Sequence, residues 1–259
     1  MRKNPQQKFN QSNLFDLRMP DTDDADKAIP TGYGKRNNGI TFDNSIASEP
    51  EGITEIRTYF KRKPKDLLGA ITTARYFELE KIFSTGEWPD SSVCPEVYTD
   101  EFNNFKNSVQ EFTNAIFSDE KFVESVRENS ADRDKIVACV GHPTKWDKLD
   151  ALIYKTILKD SILGKTTYHD KLFSFILAAE SRAAYLFLRD KGTVKDNPQG
   201  TCSLLIDVGS STIDVTAAIQ NSRNYSYNDG NNYLGVRIID FMIRDWYFEQ
   251  LKNHEKRSC

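Results

Sequence analysis

The sequence predicts a mixed α/β fold, and three features of its second half support this prediction. An apolar run bounded by charge and glycine, Lys135–Gly141, has the length and composition of a buried strand. Two segments with helical periodicity follow, at about residues 146–159 and 170–189. Two apolar runs joined by a Gly-Ser-Ser turn, within residues 202–219, predict a β-hairpin. Strands and helices in this order are typical of a mixed α/β domain.

Length and charge restrict the class of protein. The chain has 259 residues, which is enough for one large domain or two lobes. Its 38 acidic and 35 basic side chains give a formal net charge of −3, without the basic excess of a nucleic-acid binder. The basic run Lys61–Lys65 is better explained as a solvated face or a helix lead-in than as a binding patch. No apolar run approaches the roughly 20 residues that span a bilayer, and no signal peptide is evident. We therefore expect a cytoplasmic protein without nucleic-acid or membrane partners.

The four cysteines, Cys94, Cys139, Cys202 and Cys259, are scattered along the chain. They form no CxxC pair and have no histidine at metal-ligand spacing. Cys139 and Cys202 fall inside predicted strands, where a reduced cysteine acts as a small buried hydrophobe. The sequence thus predicts a fold that needs no metal of its own.

The first half of the chain divides into a polar part and a helical part. Residues 1–50 form a polar, loop-rich segment, with a short strand expected near Ile40–Phe42. Residues 51–134 are predicted to be mostly helical. A first helix is expected to begin near Asp66, and a second fits residues 99–117. The apolar face of the first consists of Leu67, Ala70, Ile71, Ala74, Phe77 and Ile82.

The second half holds the remaining elements. Residues 135–200 contain the predicted strand and two helices, and the helix at 170–189 is apolar on most sides, which is typical of a helix packed between layers. Residues 201–259 contain the hairpin and a last helix at about 236–252. That helix carries Ile239, Met242, Ile243 and Trp246 on one side.

The hairpin has the chemistry of a phosphate site. Asp207 ends the first strand, Gly209 opens the turn and Asp214 lies in the second strand. Small residues in a turn let backbone N–H groups approach an anion closely. Neutral hydroxyl donors come from Ser210, Ser211 and Thr212. Two carboxylates beside a phosphate make sense with Mg²⁺ and its water between them, or with one carboxylate orienting a water. An ordinary hairpin with a Gly-Ser-Ser turn is the competing interpretation.

The segment Asp207–Val215, Asp-Val-Gly-Ser-Ser-Thr-Ile-Asp-Val, resembles the second phosphate loop of the superfamily of actin, sugar kinases and DnaK-type 70-kDa heat-shock chaperones. In the chaperones this loop reads Asp-Leu-Gly-Gly-Gly-Thr-Phe-Asp-Val. Val137–Trp146 resembles the family's strand-then-proline stretch, and Ala178–Ala184 resembles Asn-Glu-Pro-Thr-Ala-Ala-Ala. Tyr233–Gly235, followed by Asp240, resembles Leu-Gly-Gly-Glu-Asp-Phe-Asp. These segments keep the family's order and cover about residues 135–252.

The resemblance implies an actin-like ATPase fold, which is a ribonuclease-H-like mixed sheet with flanking helices. Residues 51–134 and 135–200 would form the first lobe, and residues 201–259 would begin the second. The implied ligands are ATP or ADP with Mg²⁺, and the implied reaction is hydrolysis of ATP to ADP and phosphate. Protein clients or co-chaperones are the expected partners.

The resemblance also implies roles for matching residues. Asp207 would help to position Mg²⁺ and the hydrolytic water, and Asp214 would be the second carboxylate near the metal. Glu180 would sense the nucleotide at the cleft, or else is a solvated helix residue. Pro143 would relay the nucleotide state, or else simply starts a helix. The β- and γ-phosphates and the nucleotide would be held by Gly209, Ser210, Ser211, Thr212 and Gly235.

The chain departs from the family pattern at both ends. The first phosphate loop has no clear counterpart, because Phe15–Arg18 lacks the glycine and the hydroxyls. The second glycine of the Leu-Gly-Gly stretch is Val236. The chain is then either part of a longer protein, which its end soon after a predicted helix favours, or a divergent member that binds nucleotide weakly or not at all. Three functions stay open: a chaperone-like ATPase switch, an actin-like filament or scaffolding ATPase, and an adaptor that binds no nucleotide.

Overall fold

A computed structural model describes residues 32–36, 39–41, 53–58, 62–192, 202–209, 212–219, 227–231, 242–243 and 245–249. The fold is mixed α/β, as the sequence predicts. The strands are β1 Gly32–Arg36, β2 Gly39–Thr41, β3 Ile53–Thr58, β4 Lys135–His142, β5 Thr167–Tyr168, β6 Lys171–Ala179, β7 Cys202–Val208, β8 Ile213–Ile219 and β9 Tyr227–Asn231. The α-helices are α1 Thr73–Ser84, α2 Asp100–Ser118, α3 Glu120–Asn129, α4 Lys148–Lys159 and α5 Glu180–Asp190. Short 3₁₀ helices occupy Pro64–Leu68, Pro95–Tyr98 and Ile162–Gly164.

The strands form three small sheets with the orders β2-β1-β3, β4-β6-β5 and β7-β8-β9. The chain divides into two compact units, and it passes from one to the other within α2, β4, α4 and β6. The first unit comprises residues 1–60, 103–138 and 157–174, and the second comprises residues 61–102, 139–156 and 175–259. No helix in the described ranges is both long enough and apolar enough to span a membrane.

The first unit is built around buried aromatic rings. Tyr33 of β1 is fully buried and stacks on Phe112 of α2, with ring centroids 6.5 Å apart. Its hydroxyl donates a hydrogen bond to Glu111, which also pairs with Lys35 at 2.8 Å. Phe117, near the end of α2, is the centre of a second cluster. Its ring centroid lies 5.2–5.9 Å from those of Phe122, Tyr168 and Phe173.

The second unit has an aromatic chain beside α1. Phe83 is fully buried, and Trp88 packs between it and Phe102 with centroids 5.8 and 6.0 Å apart. The guanidinium of Arg75 donates two hydrogen bonds to the carboxylate of Glu96, at 2.7 and 2.9 Å. This pairing lowers the pKa of Glu96 to about 2. An aromatic core and one well-formed ion pair therefore hold α1 against the segment that follows it.

The start of the first helix was predicted wrongly. Pro64–Leu68 is a 3₁₀ helix, and the chain then breaks at Gly69, whose φ is +71°. The α-helix begins only at Thr73, because the hydroxyl of Thr72 caps the N–H of Arg75. Its buried positions are Leu79 and Phe83, whereas Phe77 of the predicted face is exposed. The apolar periodicity continues through both helical segments, but Gly69 in its left-handed conformation separates them, so the sequence predicted one helix where the structure has two.

The helix predicted over 170–189 is half strand. Residues 171–179 form β6, which pairs antiparallel with β5 across a two-residue turn, and only residues 180–190 are helical. Both turn residues have positive φ, +46° at His169 and +67° at Asp170, as a type I′ hairpin requires. The run KLFSFILAA is rich in aromatic and apolar residues that suit a strand equally well.

Other predicted elements have mixed outcomes. The strand from 135, the helices near 99–117 and 146–159 and the hairpin are confirmed. The strand near residues 40–42 is confirmed as β2, whereas β1 falls in a segment that was predicted to be loop. Residues 242–243 and 245–249 are helical, in agreement with the last predicted helix, and the rest of that helix lies outside the described residues. The end of the basic run, Pro64 and Lys65, forms the start of a 3₁₀ helix, which agrees with a helix lead-in.

The predicted burial of the strands is wrong in part. Exposure alternates along β4 and β7, so Cys139 and Cys202 are exposed rather than buried. Three apolar side chains of β7 face outwards, and Leu204, Ile206 and Val208 are 63%, 55% and 56% exposed, whereas Leu205 on the other face is half-buried. A continuous apolar run cannot tell a strand covered on both faces from one covered on a single face.

The first residues of α4 hold a buried carboxylate. Asp150 is fully buried and accepts hydrogen bonds from the N–H groups of Lys65, at 2.9 Å, and Asp147, at 3.0 Å. Asp147 caps α4 by accepting from the N–H of Leu149, and it pairs with the ammonium of Lys65. Burial raises the pKa of Asp150 to about 6, because desolvation penalises its charged form. The basic run is thus tied to the start of α4 by its lysines.

We expect Asp170→Gly to stabilise the protein by about 0.5–1 kcal/mol, because glycine adopts the left-handed conformation of this turn without a Cβ clash. Urea denaturation followed by circular dichroism measures the effect. The matched control is Asp132→Gly at an exposed position without positive φ, where glycine should destabilise by a similar amount. Equal effects at both positions would contradict the turn assignment.

We expect Asp150→Asn to change how stability depends on pH. The folded-state pKa of Asp150 lies above the unfolded value near 3.9, so the unfolded state loses its proton first as pH rises. The wild type should therefore lose up to about 3 kcal/mol relative to the variant between pH 4 and pH 7. Urea titrations of both proteins across this range measure the difference, and a difference that does not vary with pH would exclude the assignment.

Candidate functional site

The register of the hairpin places the two predicted carboxylates opposite each other. Asp207 of β7 pairs directly with Asp214 of β8 in an antiparallel ladder, so their side chains share one face. The turn closes beyond them, where the N–H of Gly209 donates to the carbonyl of Thr212 at 2.9 Å. A Cβ at Gly209 would lie 3.3 Å from that carbonyl oxygen, which is tight for any larger residue.

The polar face of β8 is its buried face. Thr212, Asp214 and Thr216 are each no more than 3% exposed, whereas Ile213 and Val215 on the other face are half-buried. This reverses the usual arrangement of a half-buried strand, in which apolar residues point inwards. Helix α5 packs against β7 and β8. Three buried polar side chains on one strand need hydrogen-bond partners within the protein.

Asp214 obtains such partners from two segments. Its Oδ1 accepts a hydrogen bond from the backbone N–H of Thr144 at 2.9 Å, and its Oδ2 accepts one from the hydroxyl of Thr212 at 2.8 Å. Thr144 follows β4, about 70 residues earlier in the chain. Asp214 thereby joins the segment after β4 to the hairpin, which are two of the four segments that carry the resemblance.

A chain of hydroxyls extends this contact to α5. The Oγ1 of Thr144 lies 2.6 Å from the Oγ of Ser181, and the hydroxyl of Thr216 donates to that same Oγ at 2.5 Å. Ser181 is fully buried, and its N–H also donates to the Oγ1 of Thr144 at 3.4 Å. We name the residues Thr144, Ser181, Thr212, Asp214 and Thr216 the hydroxyl network. It brings three of the four resembling segments together.

Glu180 lies at the junction between β6 and α5, immediately before Ser181. It is half-buried, and its Cγ would lie 3.1 Å from a Cβ at Gly141 of β4. Burial of Tyr154, together with the nearby negative charge of Glu180, raises the pKa of Tyr154 to about 12. Glu180 is therefore a half-buried carboxylate in the first turn of α5, close to Gly141 near the end of β4, and its role stays a prediction.

Asp207 differs from its cross-strand neighbour. Its side chain is half-buried, and none of the described residues donates a hydrogen bond to its carboxylate or forms an ion pair with it. The two carboxylates of one register pair therefore have distinct environments. Asp214 is buried and accepts two hydrogen bonds, whereas Asp207 is half-buried and has no donor among the described residues.

Pro143 does not start a helix. It opens a turn in which its carbonyl accepts from the N–H of Trp146 at 3.1 Å, and α4 begins later, at Lys148. The ring of Trp146 stacks on that of His142, with centroids 5.7 Å apart. The helix-starter interpretation is thus wrong, and the role of Pro143 as a relay stays a prediction. Pro143 is the neighbour in sequence of Thr144, which is a member of the hydroxyl network.

The structure brings Pro143, Glu180, Asp214, Thr212 and Gly209 into neighbouring positions around the hairpin. Ser210, Ser211 and Gly235 lie outside the described residues. Sequence reasoning did not single out the network members Thr144, Ser181 and Thr216. The only available signal was a hydroxyl residue inside each resembling segment, which is too common to be informative.

The described residues contain no group of three or more His, Cys, Asp or Glu side chains that could hold a metal ion. A Mg²⁺ ion commonly takes only one or two protein carboxylates and fills its remaining positions with water and substrate phosphates. Asp207, which is half-buried and has no partner among the described residues, is compatible with that requirement, whereas both oxygens of Asp214 already accept hydrogen bonds. The chain matches no family model and no curated protein.

We expect the two carboxylates to respond differently to the same substitution. Asp214→Asn should lower the free energy of unfolding by about 3 kcal/mol, because an amide nitrogen would face one of two buried donors. Asp207→Asn should change it by less than about 0.5 kcal/mol, or stabilise slightly by removing a like charge across the ladder. Urea denaturation of both variants at pH 7 measures the contrast. Similar losses for the two variants would show that the environments are not distinct.

Proposed function

We propose that this chain carries the phosphate-binding part of an actin-like ATPase fold and binds ATP with Mg²⁺, as a module of a DnaK-like chaperone-family protein. The observation that supports this proposal is the hydroxyl network. Three segments that resemble the chaperone motifs are separated by tens of residues, and hydrogen bonds join them: the Thr144 amide contacts Asp214 of the hairpin, and Ser181 contacts both Thr144 and Thr216. A chance Gly-Ser-Ser turn would give no reason for the segments at Thr144 and Glu180 to lie beside it.

In this proposal the turn after β7 binds the phosphates. Gly209 and Thr212 close the turn through a backbone hydrogen bond, and a Cβ at Gly209 would make a tight contact of 3.3 Å with the Thr212 carbonyl oxygen. Backbone N–H groups in such a turn are the donors that an anion requires. The Ser210 and Ser211 hydroxyls, predicted from sequence, would add neutral donors.

The three carboxylates of the site have different roles in this proposal. Asp207 would hold the metal or its water shell, because its oxygens are not engaged by other described residues. Asp214 would keep the hairpin and the Thr144 segment aligned, and Glu180 would lie at the edge of the site. Bound Mg-ATP supplies a charge-neutralised γ-phosphate that is open to in-line attack by water. Asp207 would then accept a hydrogen bond from that water and so orient it.

An adaptor without nucleotide is the second candidate, and one observation favours it. Every hydroxyl and carboxylate of the hydroxyl network has a protein partner, so the network is stable without a ligand. Such a network could keep three segments together simply to present a surface. The two candidates differ in what they expect of Asp207, which the network does not include.

We expect isothermal titration calorimetry of the 259-residue chain with Mg-ATP to show binding, and Asp207→Asn to weaken it at least about tenfold by removing the charge that the metal requires. The same titration in EDTA should show comparable weakening for the wild type. Asp132→Asn, an exposed change in the other unit, should leave the affinity unchanged.

The adaptor candidate gives the opposite result in the same experiment. If the folded wild type shows no heat of binding with Mg-ATP, the ATPase proposal fails. Binding that is unaffected by Asp207→Asn and by EDTA would also contradict the proposed metal role.

A further inference from the structure

Ser181 occupies the centre of the hydroxyl network. It is the second residue of α5 and is fully buried, and its Oγ lies 2.6 Å from Thr144 Oγ1 and 2.5 Å from Thr216 Oγ1. One side chain at the start of the helix thus contacts both the segment after β4 and strand β8. No other residue of the hydroxyl network contacts both of these hydroxyls.

This arrangement belongs to the present chain rather than to the chaperone motif that it resembles. That motif, Asn-Glu-Pro-Thr, has proline after its glutamate, where this chain has Ser181. Proline offers neither a side-chain hydroxyl nor a backbone N–H, and Ser181 uses both towards Thr144. A shared family feature therefore does not account for the contacts of Ser181.

The hydrogen bonds form a continuous path from Thr216 through Ser181 and Thr144 to Asp214. Thr216 donates its proton to Ser181, so the Ser181 oxygen accepts there and shares one further proton with Thr144. The backbone of Thr144 in turn donates its N–H to Oδ1 of Asp214. Removal of the Ser181 hydroxyl would leave Thr216 without its acceptor and Thr144 without its hydroxyl partner. Both are buried, so water cannot readily replace the missing oxygen.

We infer that Ser181 is a positioning residue that holds the Thr144 amide on the Asp214 carboxylate. The Thr144 amide is one of the two described donors to the Asp214 carboxylate, so a shift of Thr144 would leave Oδ1 of Asp214 without its donor. Ser181 also follows Glu180 directly, so the hydrogen bond between Ser181 and Thr144 restrains the position of Glu180 at the junction of β6 and α5. The consequence of this positioning for ligand binding rests on the proposed function, whereas the positioning itself does not.

Amide hydrogen exchange of the isotopically labelled chain, followed by NMR without nucleotide, tests the positioning. Ser181→Ala should speed exchange at the Thr144 amide at least about tenfold relative to the wild type, because the segment loses its buried anchor. Ser181→Thr, which keeps the hydroxyl, should restore exchange to within about threefold. Thr216→Val should also stay within about threefold, since it leaves the Ser181–Thr144 contact intact.

Two comparisons separate positioning from a general loss of stability. Ser108→Ala removes a buried hydroxyl that donates only to the carbonyl of Asn104, in the first unit, and should not alter exchange at Thr144. If Ser181→Ala does not fold, Ser181→Cys keeps a weak donor and acceptor at this position and should give a smaller rise. Exchange at Thr144 that stays within about twofold of wild type in Ser181→Ala, or in Ser181→Cys if only that variant folds, would overturn the inference.

Calorimetry with Mg-ATP then distinguishes this inference from the proposed function. If the wild type binds Mg-ATP, Ser181→Ala should weaken binding about three- to tenfold and Ser181→Thr should restore it. If the wild type binds no Mg-ATP, the proposed function fails and the exchange result alone decides the role of Ser181. Binding that persists while exchange at Thr144 is unchanged in Ser181→Ala would retain the function and overturn the inference.

Discussion

Burial of the Asp214 carboxylate is the constraint on which the arrangement of the site depends. A carboxylate that is 1% exposed is strongly destabilising unless donors surround it, and a single hairpin cannot supply enough of them. Thr212 provides one donor from the same hairpin, and the backbone of Thr144 provides another from a distant segment. The chain leaving β4 must therefore turn so that this amide faces β8. Helix α5 begins at Glu180, and its second residue, Ser181, contacts both Thr144 and Thr216.

The parts of the fold that depend on local chemistry could be predicted from sequence, and those that depend on tertiary contacts could not. The hairpin was recognisable because two apolar runs flank a turn of small residues, and α2 because its apolar stripe continues through Phe102, Phe105 and Val109. The segment that forms β6 and α5 was predicted as one helix because its apolar composition suits a strand as well as a helix. The turn before it also gave no signal, since it uses His169 and Asp170 rather than the usual glycine. The hydroxyl network was not predicted, for a different reason. Threonine and serine are frequent everywhere, and only the folded chain shows which of them meet.

The register pair of Asp207 and Asp214 shows how one sequence pattern gives two chemical environments. Both are aspartates on the same face of the same ladder, so spacing alone assigns them equivalent roles. The difference arises because the donors lie nearer one strand than the other. The central strand β8 receives contacts from α5 and from the segment after β4, whereas the side chain of Asp207 on β7 has no described donor. Equivalent residues in a sequence motif thus become a structural carboxylate and an accessible one.

The outward apolar face of β7 has a consequence for the behaviour of the protein in concentrated solution. β7 lies at the edge of its sheet in the described part of the chain, and Leu204, Ile206 and Val208 project from it. An edge strand with an apolar face is a template for strand pairing between molecules, and neither proline nor a charged residue on that face opposes it. Self-association through this edge, rather than unfolding of the core, should set the concentration at which the protein begins to precipitate. A single lysine in place of Ile206 would be the most economical way to raise that concentration.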